Sequence, residues 1–310
     1  ENYWREGPKV DTLTFRVVPE DGARIAMLQT GEADIITPVP PIQVEKIEND
    51  PNVVVKNEKG ITYRYATLNK NYTLEDGRQP FDDVRVRQAM NYAFDSEMYC
   101  QVVFQGYAVK PTSIFSESIM YYAPQTPYDV DLEKAKSLMA EAGYPDGFTT
   151  TFVCPTSGSG NMFPQIMNEY IQKCAEEVGI HIELDMSESE RVWDVMKVGF
   201  KDEYADVGAL NTSFYTMFPN VFQKFAGTGG SFNTGKYSNP EYDACIEAAY
   251  AATDEAESTQ QFIEAEKIFT EELPWVIVCN DRNLRVLAPN VQNFAQSQTW
   301  YVDLTTVTVE

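Results

Sequence analysis

Basic residues are scarce in this chain of 310 residues: 24 Lys plus Arg face 47 Asp plus Glu, a formal net charge of −23 at pH 7. So negative a surface repels phosphate backbones and anionic membranes, which argues against nucleic acid as a partner. Histidine is nearly absent, and the one present, His181, leaves a serine or cysteine nucleophile no choice of base. No window approaches the roughly 18 apolar residues that a membrane-spanning helix needs, and no basic-plus-apolar leader run is read within these residues. Cysteine is sparse as well. Cys100, Cys154, Cys174, Cys245 and Cys279 are far apart, odd in number and without zinc spacing, so they read as small buried hydrophobes and do not fix the compartment.

What is present is core material. Hydrophobic residues make up 43% of the chain, with 18 Tyr and 17 Phe, too many for a disordered acidic polymer, and the length suggests about two domains. Residues 12–18 (TLTFRVV) alternate in the manner of a strand, followed by a helix at 23–30 stopped by Gly31, a second helix at 42–47, and strands at 52–57 and 61–68. Residues 72–79 read as a surface loop. Asp82 is the expected N-cap of a helix whose face is Val86, Met90, Ala93 and Phe94, with Arg85 and Arg87 on other faces. Asp95 then caps a second helix through Met98, Val102 and Val103 to Gly106. Residues 110–128 are irregular and rich in Pro and Tyr, a loop that wraps the surface or lines a cleft.

From 149 to 210 the pattern runs strand, helix, strand, helix, strand, which predicts an α/β layer with parallel neighbours. Ligands of open α/β sheets gather beyond the carboxyl ends of such strands. The loops 155–161 and 211–217 lie there, so Thr156, Ser157, Asn161, Asn211, Thr212, Ser213, Phe214 and Tyr215 are the candidate ligand contacts. Two acidic helices follow, at 242–251 and 254–272, then a buried-type strand at 275–279 and a return segment at 281–286.

Signals of chemistry are weak. Residues 230–237 (GSFNTGKY) nearly form a phosphate loop, but Tyr237 stands where a hydroxyl would hold magnesium and Pro240 interrupts the required helix. Ser157 replaces the first glycine of a nucleophile elbow around Ser159. The acids at Asp129, Asp131 and Glu133 lack the glycine of a calcium loop. Glu188 and Glu190 read as a solvated helix start. We therefore assign no catalytic residue, no metal and no cofactor.

The segment 80–95 (PFDDVRVRQAMNYAFD), preceded by an extended run ending in Leu68-Asn69 and a polar loop, resembles the signature of the family 5 solute-binding proteins, the oligopeptide, dipeptide and nickel receptors of ABC importers. Similar phrases extend the likeness: 28–35 (LQTGEADI), 131–147 ending in GYPDG, and 237–243 (YSNPEYD) with helices that end at Leu273-Pro274. The resemblance implies a two-lobed periplasmic-binding-protein fold of type II, with residues 1–70 plus 285–310 forming part of lobe I and 71–284 forming lobe II. It also implies a monomer that captures a peptide or small polar solute and passes it to a membrane permease, at the outer face of a bacterial membrane through a lipid anchor or in a periplasm. Asn2-Tyr3-Trp4 begins a phrase that lies well inside such polypeptides, so we expect a fragment without its N-terminal portion.

In peptide-binding members the loop before a proline, here Pro219, carries a tryptophan and then an aspartate that pairs with the peptide amine. Alignment on Pro219 puts Thr212 and Tyr215 at those places, so that anchor is absent and hydroxyl or ring-stacking recognition fits better. The alternatives from other classes are a hydrolase and a receptor-like or adhesive module that transports nothing.

Overall fold

A computed structural model describes residues 4, 6–117, 121–125, 128–157, 161, 163–215, 218–282, 284–297 and 301–310. Its largest element is a six-stranded sheet in the order Ala108–Val109, Trp275–Asp281, Thr62–Leu68, Val207–Tyr215, Phe148–Pro155, Ile180–Ser187. The last three carry out the sequence expectation: Phe148–Pro155 is parallel to both Ile180–Ser187 and Val207–Tyr215. The helices Pro164–Glu176 and Ser189–Val198 make the crossovers. All seven residues of Thr62–Leu68 are buried, because the sheet carries apolar layers on both faces.

One layer packs Ala66, Leu68, Val276 and Val278 against Phe81, Val86, Met90, Phe94 and Tyr99. The other sets Tyr63, Tyr65, Phe214 and Trp275 against Phe222 of the short turn Phe222–Ala226 and Tyr242, Phe262 and Phe269 of the C-terminal helices. The ring stack there is close, with Tyr65 and Trp275 centroids 4.0 Å apart.

Side-chain caps begin most of these helices. Asp95 accepts from the Met98 N–H, Asp131 from Lys134, Asn239 from Glu241 and Tyr242, and Asp254 from Glu257. Each satisfies a backbone donor that the first turn leaves open. The helix Val84–Ala93 departs from expectation by one residue. Pro80–Asp82 forms a 3₁₀ turn, and Asp83 rather than Asp82 caps the helix by accepting from the Arg85 N–H at 2.9 Å. Arg87 is buried, not on a solvated face; it donates to the carbonyls of Phe81, Asp82 and Glu272 and pairs with the Glu272 carboxylate at 3.0 Å. In the next helix Val103 is buried as expected, together with Tyr99 and Cys100, while Met98 and Val102 are exposed.

A second, three-stranded sheet places Arg285–Leu287 between Ile35–Ile36 and Val54–Lys56. The helices Asp21–Gln29 and Pro41–Ile47 cover it through Ile25, Leu28, Val44 and Ile47. Residues 12–18 are no strand; Phe15 and Val17 are 81% and 92% exposed. Alternation specifies a strand only where a neighbouring strand supplies the ladder, and none among the described residues lies alongside. No cysteine is in a disulfide: Cys100, Cys154 and Cys279 are buried, and Cys174 and Cys245 half-buried. Burial, with a hydrogen bond from the Cys279 thiol to Cys100, lifts that thiol far above its ordinary range, as befits an inert core thiol.

Candidate functional site

Strand directions decide where polar loops collect. Thr62–Leu68 runs antiparallel to Val207–Tyr215 and Trp275–Asp281, so its first residue lies at the same end of the sheet as Tyr215 and Asp281. The parallel block adds Pro155 and Ser187 to that end. From the same end the chain crosses twice to the three-stranded sheet, between Lys56 and Thr62 and between Asp281 and Arg285. Every candidate loop therefore sits beside the junction of the two sheets.

At that junction Arg64 is 1% exposed and stands in register between Ser213 and Cys279. Its Nη2 donates to Asn161 Oδ1, and Asn161 Nδ2 donates to the Ser157 carbonyl at 3.2 Å. Ser157 Oγ lies 3.0 Å from Ser189 Oγ, and the Thr156 N–H donates to the Ser187 carbonyl at 3.0 Å. The structure thus draws Thr156, Ser157 and Asn161 into one network with the sheet end.

The other expected loop is a correction. Residues 211–215 continue the strand Val207–Tyr215, because Thr62–Ala66 offers a ladder partner to each of them. Their side chains consequently diverge. Asn211 is buried and donates to Asn168 Oδ1 on the helix Pro164–Glu176. Thr212 is buried with its hydroxyl 3.7 Å from Met196 Sδ, and Phe214 stacks on Tyr63 with centroids 5.5 Å apart. Ser213 is half-buried beside Arg64. The Tyr215 side chain lies outside the described residues.

A cavity of about 150 Å³ lies at the two crossings, and of the sequence expectations only the cleft-lining reading of residues 110–128 pointed to it. Lys59 and Gly60 of one crossing line it, with Asn280, Asp281 and Arg282 of the other; Lys110, Ser116, Glu117 and Tyr122 of the irregular segment close it. None of the eight sequence-predicted residues is in that lining. Lys59 pairs with Glu117 and Lys110 with Asp129. Burial lowers the Arg285 pKa while the charge of Asp281 opposes that shift. The signals available in the sequence were a charge inside an apolar strand, Arg64 in ITYRYATL, and the charged run Asp281-Arg282 directly after VIVCN. A smaller void of about 30 Å³, beside Asn91, Ser96 and Thr270, is water-sized.

Reactive groupings are missing among the described residues: no three His, Cys, Asp or Glu side chains are placed to share a metal ion, and His181 is exposed on its strand. No helix among them is long and apolar enough to cross a membrane. A polar-ended α/β sheet is thus tied by two short crossings to a second sheet, with a cavity lined from both crossings.

The chain belongs to the bacterial extracellular solute-binding proteins, family 5 Middle, whose family model matches residues 1–236. The glutathione-binding protein GsiB of Salmonella paratyphi A is 31% identical over 303 residues, covering 94% of this chain and 57% of that protein. The chain thus spans a little over half the length of such relatives. Among solved structures, the periplasmic binding protein DppA of Helicobacter pylori in complex with the peptide STSA superposes with a TM-score of 0.86 at 22% identity, over 100% of this chain and 59% of that one. The dipeptide-binding protein of Pseudoalteromonas sp. SM9913 in complex with Met-Leu gives 0.82 at 22% identity, over 99% and 60%. At these identities the structures establish the fold, which is the α/β binding-protein fold expected from the sequence. The family consists of binding proteins.

Proposed function

We propose that this protein is the solute-binding component of an ABC importer, capturing a peptide or another small polar solute between two lobes and handing it to a membrane permease. The observation that carries the reading is the polar cavity between the two crossings in a chain of family 5 membership. Relatives whose names record glutathione and peptide binding support it. The protein works as a monomer that breaks no bond, at the outer face of a bacterial membrane through a lipid anchor or in a periplasm. The lobes are residues 1–70 with 285–310, and 71–284. Because Thr62–Leu68 is a central strand of the six-stranded sheet, its sheet membership favours drawing the first boundary back to residues 57–61. Thr156, Ser157, Asn161 and Ser213 are the ligand-facing members of the sequence set, with Tyr215 at the strand end; Asn211, Thr212 and Phe214 hold their backbone in place.

Thermal unfolding of the full-length protein against peptides, sugars and metal chelates tests this. A ligand at about 100 times its Kd adds about 2.7 kcal/mol to stability, so one class should raise Tm by several degrees. If no class does so, the reading fails. Turnover of a bound solute that disappears in His181→Ala would make the protein a hydrolase instead.

A further inference from the structure

Charges of both signs surround the cavity. Lys59 has Glu117, Lys110 has Asp129, and Asp281 lies in the field of Arg285. Arg282 lines the same space half-buried, and among the described residues it makes no ion pair or hydrogen bond, its Nε being shut away from solvent without an acceptor. A guanidinium is planar and keeps its charge at any physiological pH, and its donors match the two oxygens of a carboxylate. Leaving such a group unsatisfied in a confined site is costly, and an incoming anion removes that cost.

We propose that the captured solute bears a carboxylate and that Arg282 receives it, between the two crossings. The proposal rests on the solute-binding reading and narrows it from polar solutes to organic anions. A volume of about 150 Å³ admits a carboxylate and a few attached carbons, not a whole peptide, so the remainder of the solute extends toward Asn161 and the sheet end. Selection is local, since a protein of net charge −23 repels anions at a distance. Because Lys59 and Gly60 belong to one crossing and Arg282 to the other, a solute seated here touches both segments that join the sheets.

The test is calorimetric titration and thermal unfolding of the full-length protein with glutathione and tri-alanine, with their esterified or amidated forms, and with glucose. The expected result is that the free carboxylates bind and that blocking them weakens binding tenfold or more. Arg282→Gln should lose the same factor, and Arg282→Lys should recover part of it. Equal binding of free and blocked forms, or parental affinity for the free acid in Arg282→Gln, overturns the assignment while solute capture stands. Binding of glucose alone does the same. No binding by any of these solutes, with the metal chelates also inert, overturns both. Should Arg282→Gln fail to fold, comparison of free with blocked solutes on the unaltered protein still decides.

Discussion

Glu266 lies fully buried on the helix Glu255–Glu272, accepting the Ile114 N–H at 2.7 Å while its other oxygen has no hydrogen-bond partner among the described residues. Tyr63 and Tyr242 are near enough to feel its charge, and no cation among the described residues pairs with it. Burial pushes the carboxyl up to about 7, against the bonds from Ser113 and Ile114 that hold it down. The folded state therefore keeps a proton that the unfolded chain releases near pH 4.5. Stability from this group is complete below about pH 4.5, falls as pH rises, and is gone above about pH 7, a swing of roughly 3 kcal/mol. Glu266→Gln mimics the protonated acid and keeps the acceptor for Ile114. It should match the parent in urea unfolding at pH 4.5 and exceed it by up to about 3 kcal/mol at pH 8; a constant difference across that range would show that the carboxyl does not titrate there. Phe115, Ser116 and Glu117, directly after Ile114, wall the cavity, so the variant should also hold that wall more firmly at alkaline pH. Nothing in the sequence separated Glu266 from its solvated neighbours on an acidic helix, just as nothing separated buried Arg87 from half-buried Arg85. Both lie at helical positions whose burial is decided by what packs across them, and a charged side chain gives no periodic sign of that.

Among the elements, the parallel pair Phe148–Pro155 and Ile180–Ser187 holds the loop that carries Thr156 and Ser157, and its register starts where two glycines touch. The Phe148 N–H donates to the Gly179 carbonyl at 3.1 Å, and a Cβ on Gly147 would stand 1.8 Å from that same oxygen. Gly147 also has φ of +72°. Gly147→Ala must push the two strands apart, at a cost on the order of 2–4 kcal/mol. Gly31→Ala is the control: its φ is similar, +77°, but open space surrounds it, so only the backbone cost of about 1 kcal/mol remains. Urea midpoints that do not separate the two variants would mean that the strand contact yields freely. This block was legible in advance because strand, helix and strand alternate with clear periods and parallel pairing follows from the crossovers. The strand ends were not legible. Residues 211–215 look like a polar loop, and only their partner Thr62–Leu68, more than a hundred residues away, makes them a strand. Residues 12–18 show the converse, a strand pattern with no neighbour among the described residues.

For the molecule as a whole, the two crossings are where, among the described residues, the chain passes between the six-stranded sheet and the three-stranded one, so small backbone rotations there would turn one relative to the other without breaking a ladder. A solute between them can act as a clasp only if it binds the closed arrangement better than the open one, since equal affinity for both would move nothing. Taking the balance from 1:99 open to 99:1 closed requires about 10⁴-fold preference, about 5.5 kcal/mol, which lies within the roughly 8 kcal/mol of a micromolar ligand. Hinge closure is thus affordable for a solute that spends most of its affinity on contacts made from both sides. Small-angle scattering of the full-length protein should show the radius of gyration fall on saturation with the stabilising solute. In Arg282→Gln the fall should require a higher concentration but reach the same end point, because the arginine sets affinity and the crossings set the motion. A solute that binds stoichiometrically at an unchanged radius would mean that the crossings are rigid and that the cavity is a static pocket.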